Sequence, residues 1–346
     1  MHFHKATIRD IERLASDVIS LTFEVATDAE SLDFMSGQHT TLRTVINGVE
    51  IRRSYSLANS PFESFLPRLI VKLIKGGKMS DYLVQLEEGS EIEISDTQGF
   101  FYADINTEKN NAYTLICEGI GFVPMYSMIR SILTAESVSK INLLYVFRTS
   151  EEFLLKYELE LLSSEYSNRF SISYLSHSST RLASIASPYP KIDSNYIEQY
   201  MMEQGVSKNS MEYFICGQGS FVDEIKLNIL AYDVPRKQIH TQCYSVADEP
   251  DELSSNVIPA TVQVEGHPQL IRSKDTESIL SAVKKSNFDP PYACESGICG
   301  TCAARLLHGK VYMKSQHALE EVDVENGWIL TCCAHACSDQ IKIKFE

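Results

Sequence analysis

Four cysteines stand at a spacing that suits iron: Cys294-x4-Cys299-x2-Cys302, then Cys332 after twenty-nine intervening residues. C-x4-C-x2-C…C is the plant-type [2Fe–2S] ligand spacing. Three thiolates from one loop wrap a corner of a small cluster, and a fourth arrives from a distant strand. Gly297 and Gly300 let the loop from Tyr292 to Cys302 curl around inorganic sulfide and aim N–H groups at it. Structural zinc is the main rival, but its usual form is two separate C-x2–4-C knuckles, and here there is one knuckle and a single late cysteine. Unliganded thiols are the other alternative. The chemistry expected is transfer of single electrons.

Two further stretches could hold a nucleotide cofactor. Arg53-Ser-Tyr-Ser56 is followed by Gly76-Gly-Lys-Met-Ser80. An arginine can neutralise a pyrophosphate, a tyrosine can lie against a flat ring, and a serine hydroxyl can meet a ring nitrogen that gains and loses a proton. Gly77, Lys78, Met79 and Ser80 can turn backbone N–H groups toward phosphate. Alone, R-x-Y-S is a short string that an ordinary edge strand would also produce. Next comes Glu118-Gly-Ile-Gly-Phe-Val-Pro124, where Gly119 and Gly121 allow a tight turn and Pro124 suits a first helical turn. Arg148, in Tyr145-Val-Phe-Arg148, and Cys216-Gly217 stand at ends of strand-like runs, where open α/β sheets bind ligands. Arg148 could equally cap a helix, and Cys216 could be a small buried apolar residue.

The elements that must position these groups fall into three blocks. Alternating, β-branched runs such as Val18–Val25, Thr40–Ile46 and Leu69–Ile74 dominate residues 1–104, punctuated by Asn47-Gly48, Gly76-Gly77 and Glu88-Gly89. That pattern predicts a small antiparallel β-barrel. Residues 105–247 alternate strand and helix: strands at 112–117, 141–146 and 213–216, helices at 125–133, 153–162 and 221–232, which predicts an α/β doubly wound parallel sheet. Residues 248–256 are acidic and proline-containing, hence a linker. Residues 257–346 hold a strand pair around 259–272, a helix over 276–286 and the cysteine loop, an α+β unit.

Composition narrows the partners. A net charge of −15, spread along the chain, argues against nucleic-acid binding and reads as solubility. No apolar run reaches membrane-span length and the first residues already read as strand, so neither signal peptide nor anchor is expected. Nine cysteines with no route to an oxidising compartment predict free thiols and a cytoplasmic address.

Taken in order, R-x-Y-S, G-G-x-x-S, G-x-G-x-x-P, Y-x-x-R, C-G and the cysteine module resemble the ferredoxin–NADP reductase superfamily over essentially the whole chain, Ser36-Gly-Gln-His39 included. The likeness is strongest to reductase components of phenylacetyl-CoA epoxidase and ring-hydroxylating oxygenases. The resemblance implies FAD in the barrel, hydride from NADH or NADPH, a β-grasp ferredoxin domain, and single electrons passed through a [2Fe–2S] cluster to a separate oxygenase. It implies that Arg53, Tyr55 and Ser56 contact flavin, with Gly77 to Ser80 on its phosphates. Gly119, Gly121, Pro124, Arg148, Cys216 and Gly217 then line the nicotinamide site, and Tyr244 covers the flavin ring. Ser56 and Cys216 become the catalytic pair, and Cys294, Cys299, Cys302 and Cys332 the iron ligands.

The chain departs from the family at Val123, where a threonine is usual, at Val146-Phe-Arg148 in place of G-N-R, at Gln218 in place of proline, and at Gln242 in place of glutamate. All four departures fall on the nucleotide site. Two other functions therefore stand beside the oxygenase reductase. One is a reductase for a different acceptor, such as a hybrid-cluster or haem protein. The other is a redox carrier or sensor whose nucleotide site is degenerate. Arg181 could hold a 2′-phosphate or lie in a plain loop, and FMN remains an alternative to FAD. Cys333 and Cys337 read as packing residues or spectators rather than a second metal site, His2 and His4 as a surface pair rather than a metal site, His39 as flavin-adjacent or structural, and Glu295 as an exposed acid at the docking face rather than a residue tuning the cluster.

Overall fold

The computed structural model describes residues 1–26, 32–63, 66–147, 152–176, 192, 195–196, 199–200, 202, 211–245 and 256–345. Arg148, Arg181 and nearly all of the linker at 248–256 lie outside them. The amino-terminal block forms six antiparallel strands, β1 (Phe3–Ala15), β2 (Val18–Val25), β3 (His39–Ile46), β4 (Val49–Ser56), β5 (Arg68–Lys72) and β6 (Glu91–Ser95). They run in the order β4-β3-β6-β1-β2-β5, and a bridge between Leu57 and Leu69 joins the two edges into a barrel. Ile8, Leu21, Phe23, Leu42, Leu69 and Ile94 fill its interior. The β3–β4 hairpin turns at Asn47 and Gly48, with φ of 52° and 77°, as the Asn-Gly pair demands. Its register sets His39 opposite Ser56 and Thr40 opposite Tyr55.

The second block is a five-stranded parallel sheet of β7 (Ala112–Glu118), β8 (Lys140–Phe147), β9 (Phe170–Ser176), β10 (Met211–Gln218) and β11 (Ile239–Ser245), in the order β11-β10-β7-β8-β9. Helices cover both faces because the strands alternate between two cores. Leu115, Leu143 and Tyr145 pack with Met128, Ile129 and Ile132 of the helix Phe122–Ala135. Ile116, Leu144 and Ile215 pack with Phe221, Ile225 and Ile229 of the helix Gly219–Ala231. The chain runs outward from β7 to β9, then returns to β10 on the other side of β7. Ligands of such sheets bind in the crevice at that reversal, outside the carboxyl ends of the strands.

One helix starts later than its sequence pattern predicts, at Lys156 rather than Phe153. Leu155 takes a left-handed conformation with φ 51°, and Phe153 instead stacks on Phe147 at 5.2 Å. The Tyr145 hydroxyl pins this turn by donating to the Glu152 carbonyl at 2.8 Å and accepting from the Leu154 N–H at 3.3 Å. A hydrogen-bonding phenol on the neighbouring strand thus overrides local helical propensity.

The third block is a mixed sheet of β12 (Ala260–Val264), β13 (Leu270–Ser273), β14 (Ala303–His308), β16 (Trp328–Leu330) and β18 (Gln340–Phe345), with the small pair β15 (Val311–Met313) and β17 (Ala334–Ala336). β12 and β18 are parallel and central, and the helix Ile279–Lys284 packs Ile279, Ala282 and Val283 on Val262, Ile341 and Ile343. That helix is shorter than 276–286 because Ser278 caps it, its side chain accepting from the Ser281 N–H at 3.2 Å. Among the described residues no helix is long and apolar enough to cross a membrane.

The third block seats against both others. Arg52, only 4% exposed, donates to Glu50 at 2.8 Å, reaches Asp289 at 3.4 Å and lies 4.1 Å over the ring of Tyr292. Phe100 meets Trp328 edge-on at 5.2 Å. On the other side, His240 sits between Glu212 at 3.0 Å and Glu320 at 2.9 Å, while Arg236 pairs with Glu321. Burial pulls the His240 pKa down, but the hydrogen bonds to Glu212 and Glu320 outweigh it and raise the value to about 9. A raised histidine pKa stabilises the folded state fully below the unfolded value and ceases to do so above the folded one. The contact is therefore expected to weaken as pH rises from about 6.5 through about 9. Thermal melts of wild type and His240→Ala across that window check this: the difference in Tm should shrink as pH rises.

Candidate functional site

All three blocks contribute to one cavity of about 560 Å³. The barrel supplies Arg53, Tyr55 and Ser56 from β4, His39 from β3, and Gly77, Lys78, Met79 and Ser80. The parallel sheet supplies Glu118, Gly119, Gly121, Val123 and Pro124 at the end of β7, Cys216 and Gln218 from β10, and Gln242 and Tyr244 from β11. The cysteine loop supplies Cys294, Ile298 and Cys299. The crevice at the sheet reversal thus opens into the same space as the barrel edge. Its size suits a cofactor-sized ligand.

On the barrel side, Arg53 is exposed, donates only to the Arg52 carbonyl at 2.7 Å, and has no carboxylate partner among the described residues. It is a cation free to meet an anion. Tyr55 is largely buried; desolvation pushes its pKa up to about 12 against the pull of Arg53, so its phenol stays neutral. The Ser80 hydroxyl accepts from the Ile74 N–H at 2.9 Å and closes the turn that carries Gly76 and Gly77. That turn leads into the short helix Lys78–Leu83. A cationic side chain, a neutral aromatic and a glycine turn around one cavity fit a flavin nucleotide.

On the sheet side the two glycines do different things. Gly119 has φ 52°, and a Cβ there would meet nothing nearer than the Tyr244 hydroxyl at 3.9 Å, so its need is conformational. Gly121 is required by packing: a Cβ would lie 2.4 Å from the Cys216 carbonyl oxygen. Gly217 does not line the cavity; its Cα faces Phe221, whose ring would stand 2.5 Å from a Cβ. The Cys216 thiol is buried and its pKa is pushed well up by desolvation, then by Cys243 and Glu118, which leaves it protonated. Glu118, 2% exposed, accepts from the Gln218 N–H at 3.4 Å and brings a carboxylate to the crevice. Sequence reasoning passed over Glu118; an acidic residue in an otherwise apolar strand end was the available signal.

The cysteines divide into two pairs. Cys294 and Cys299 share a hydrogen bond, which lowers the Cys294 pKa to about 5 and raises that of Cys299. Cys302 and Cys332 share another, which raises the Cys332 pKa. A tetrahedral zinc would hold all four sulfurs near about 3.8 Å of one another, given Zn–S bonds of about 2.3 Å. Among the described residues, the only trio of possible ligands within 4.8 Å of one another is His2, His4 and Asp96. Two separated thiol pairs fit two irons, one pair each. Gly297 and Gly300, with φ of 77° and 75°, make the loop, as does Glu295 at φ 56°, and the Ser296 N–H lies 3.4 Å from the Cys294 sulfur. A Cβ on Gly297 would reach Ser315 and Cys333, and Cys333 itself packs 3.5 Å from the Cys332 sulfur. Glu295 is exposed and pairs with Lys284 at 3.0 Å.

A barrel with a flavin-type edge, a parallel sheet with a nucleotide crevice and a two-iron cysteine loop around one cavity define an electron-transferring flavin and iron–sulfur oxidoreductase. Family comparisons agree block by block: residues 5–102 match the oxidoreductase FAD-binding domain, 115–226 the oxidoreductase NAD-binding domain and 262–337 the 2Fe-2S iron-sulfur cluster binding domain. The chain belongs to the ferredoxin–NADP reductase superfamily, in the group that carries a C-terminal plant-type [2Fe–2S] ferredoxin domain. It is 29% identical to one of the subunits of 1,2-phenylacetyl-CoA epoxidase of Escherichia coli (strain K12), over 99% of this chain and 98% of that protein. It is 27% identical to the ferredoxin reductase component of 3-ketosteroid-9-alpha-monooxygenase of Rhodococcus rhodochrous, over 98% and 96%. Among solved structures, phthalate dioxygenase reductase shares the fold with a TM-score of 0.61 and 23% identity, over 99% of this chain and 98% of that one.

Proposed function

We propose that this chain is the NAD(P)H-dependent reductase of a multicomponent oxygenase, of the kind that serves phenylacetyl-CoA epoxidase or ring-hydroxylating systems. The observation that carries the reading is the shared cavity, where Arg53 to Ser56, Gly119 to Gly121 with Val123 and Pro124, and the Cys294–Cys299 pair face one space. The names of the full-length relatives supply the oxygenase as partner. On this reading the flavin barrel spans 1–104, the nicotinamide-binding sheet 105–247, the linker 248–256 and the ferredoxin domain 257–346.

When bound, FAD takes two electrons as hydride and releases them singly, and a [2Fe–2S] cluster accepts one at a time. The protein's part is placement and electrostatics. Arg53 neutralises the flavin pyrophosphate together with the turn at Gly77 to Ser80. Tyr55 presents a neutral ring, Ser56 a hydroxyl for a proton-exchanging ring nitrogen, and Tyr244 the opposite cover. Cys216, kept as a thiol, gives an uncharged wall where the nicotinamide meets the flavin. Cys294, Cys299, Cys302 and Cys332 hold iron, the first pair toward the flavin.

One feature favours the carrier reading. Glu118 sets a buried carboxylate in the crevice a nucleotide phosphate would approach, beside Val123, which offers no hydroxyl. Anaerobic titration with NADH and separately NADPH decides between them. Bleaching of flavin and then of cluster absorbance, with one nucleotide preferred, is the expected result. Centres that only dithionite reduces would replace the reductase with a carrier.

A further inference from the structure

We infer that His39 and Thr301 form a hydrogen-bonded bridge from the wall of the flavin cavity to the cluster ligand Cys299, and that this bridge sets the reduction potential of the cluster. The inference rests on the proposed function above, since it places a flavin on one side of the bridge and iron on the other. His39 is 3% exposed and Thr301 4% exposed, and the His39 Nε2 and Thr301 Oγ1 atoms lie 3.2 Å apart across the barrel–ferredoxin boundary. Thr301 stands between Cys299 and Cys302, two residues after the first and next to the second, where its hydroxyl can be turned toward the Cys299 sulfur. His39 also lines the cavity and pairs across β3–β4 with Ser56, which lines it too.

The ring and its backbone are closely held. Gly99, with φ 107°, faces it so closely that a Cβ would come within 2.7 Å of Nδ1. The backbone of His39 is clamped by reciprocal hydrogen bonds with Gln98, at 3.0 and 2.8 Å. Burial lowers the His39 pKa to about 4, so the imidazole is neutral and has one N–H to give. Placed on Nε2, that hydrogen goes to Thr301 Oγ1, and the threonine hydroxyl is then turned to donate to sulfur. Donors of this kind stabilise the reduced cluster, whose sulfur ligands carry more negative charge, more than the oxidised one, and so raise its potential. His39 acts here as a positioning residue, fixing which way the hydroxyl points. No proton or bond is exchanged along the bridge.

The test is a mediated spectroelectrochemical titration of the holoprotein, following flavin and cluster together, with the EPR spectrum of the reduced cluster as a second readout. Thr301→Val keeps the side-chain shape and removes the donor. It should shift the electron distribution from cluster toward flavin on the order of tenfold, which is about 59 mV for a one-electron couple. Thr301→Ser should restore the wild-type potential. His39→Phe, which keeps a ring but has no N–H, should move the potential in the same direction, and the double variant by less than the sum of the two. Unchanged potentials and EPR spectra in Thr301→Val would overturn the bridge, as would a shift in Thr301→Val with none in His39→Phe. Failure of the proposed function looks different: a wild-type protein whose flavin neither NADH nor NADPH bleaches.

Discussion

Replacing Cys299 by alanine is expected to remove the iron–sulfur absorbance and EPR signal and to cut electron delivery to a one-electron protein acceptor on the order of a hundredfold or more. The reason is the pairing. Cys294 and Cys299 form one couple and Cys302 and Cys332 the other, so losing Cys299 leaves one iron a single protein ligand. Cys333 packs 3.5 Å from the Cys332 sulfur and belongs to neither couple. Cys333→Ser and Cys337→Ser should therefore keep the cluster. Iron and sulfide analysis of purified variants checks the claim directly, and a Cys299→Ala protein with full iron content would refute the ligand assignment.

The second large effect is expected at Gly121. An alanine there places its Cβ 2.4 Å from the Cys216 carbonyl oxygen and 2.7 Å from the carbonyl carbon, and neither atom belongs to a flexible side chain. Overpacking of this kind costs roughly 1–3 kcal/mol and moves backbone. The backbone that must move is the end of β10, the far wall of the nucleotide crevice, so KM for the nicotinamide nucleotide should rise roughly ten- to a hundredfold at 1.4 kcal/mol per decade. Dithionite should still reduce both centres. Gly119→Ala meets only an ordinary contact, the Tyr244 hydroxyl at 3.9 Å, and costs the left-handed backbone, so stopped-flow reduction of the two variants side by side separates close packing from conformational need.

Much of this architecture was legible in the chain because period and punctuation agreed with it. Asn47-Gly48 announced its hairpin, the run from Ala112 to Cys117 announced a strand, and the cysteine spacing announced two irons. The sequence pattern misplaced the helix near residue 153, because a contact from Tyr145 decides its start and no local propensity encodes that contact. It treated both crevice glycines alike, as turn residues of the nucleotide site, since a motif carries no information about what lies behind Gly121. His39 stood in a noticed string, yet its partner Thr301 is 262 positions away and only the folded chain brings them together. Arg53, Tyr55, Ser56 and Cys216 share a cavity because β4 and β10 end at the same boundary, and that follows from topology rather than from any one motif.

Cys294, Ile298 and Cys299 are wall residues of the flavin cavity as well as parts of the iron loop. Flavin binding and iron binding are therefore expected to be thermodynamically linked. Iron that orders this loop completes the flavin's enclosure, and by reciprocity bound flavin favours iron by the same factor. Iron-depleted protein is then expected to hold flavin more weakly than iron-loaded protein, which flavin retention after desalting of the two forms would measure.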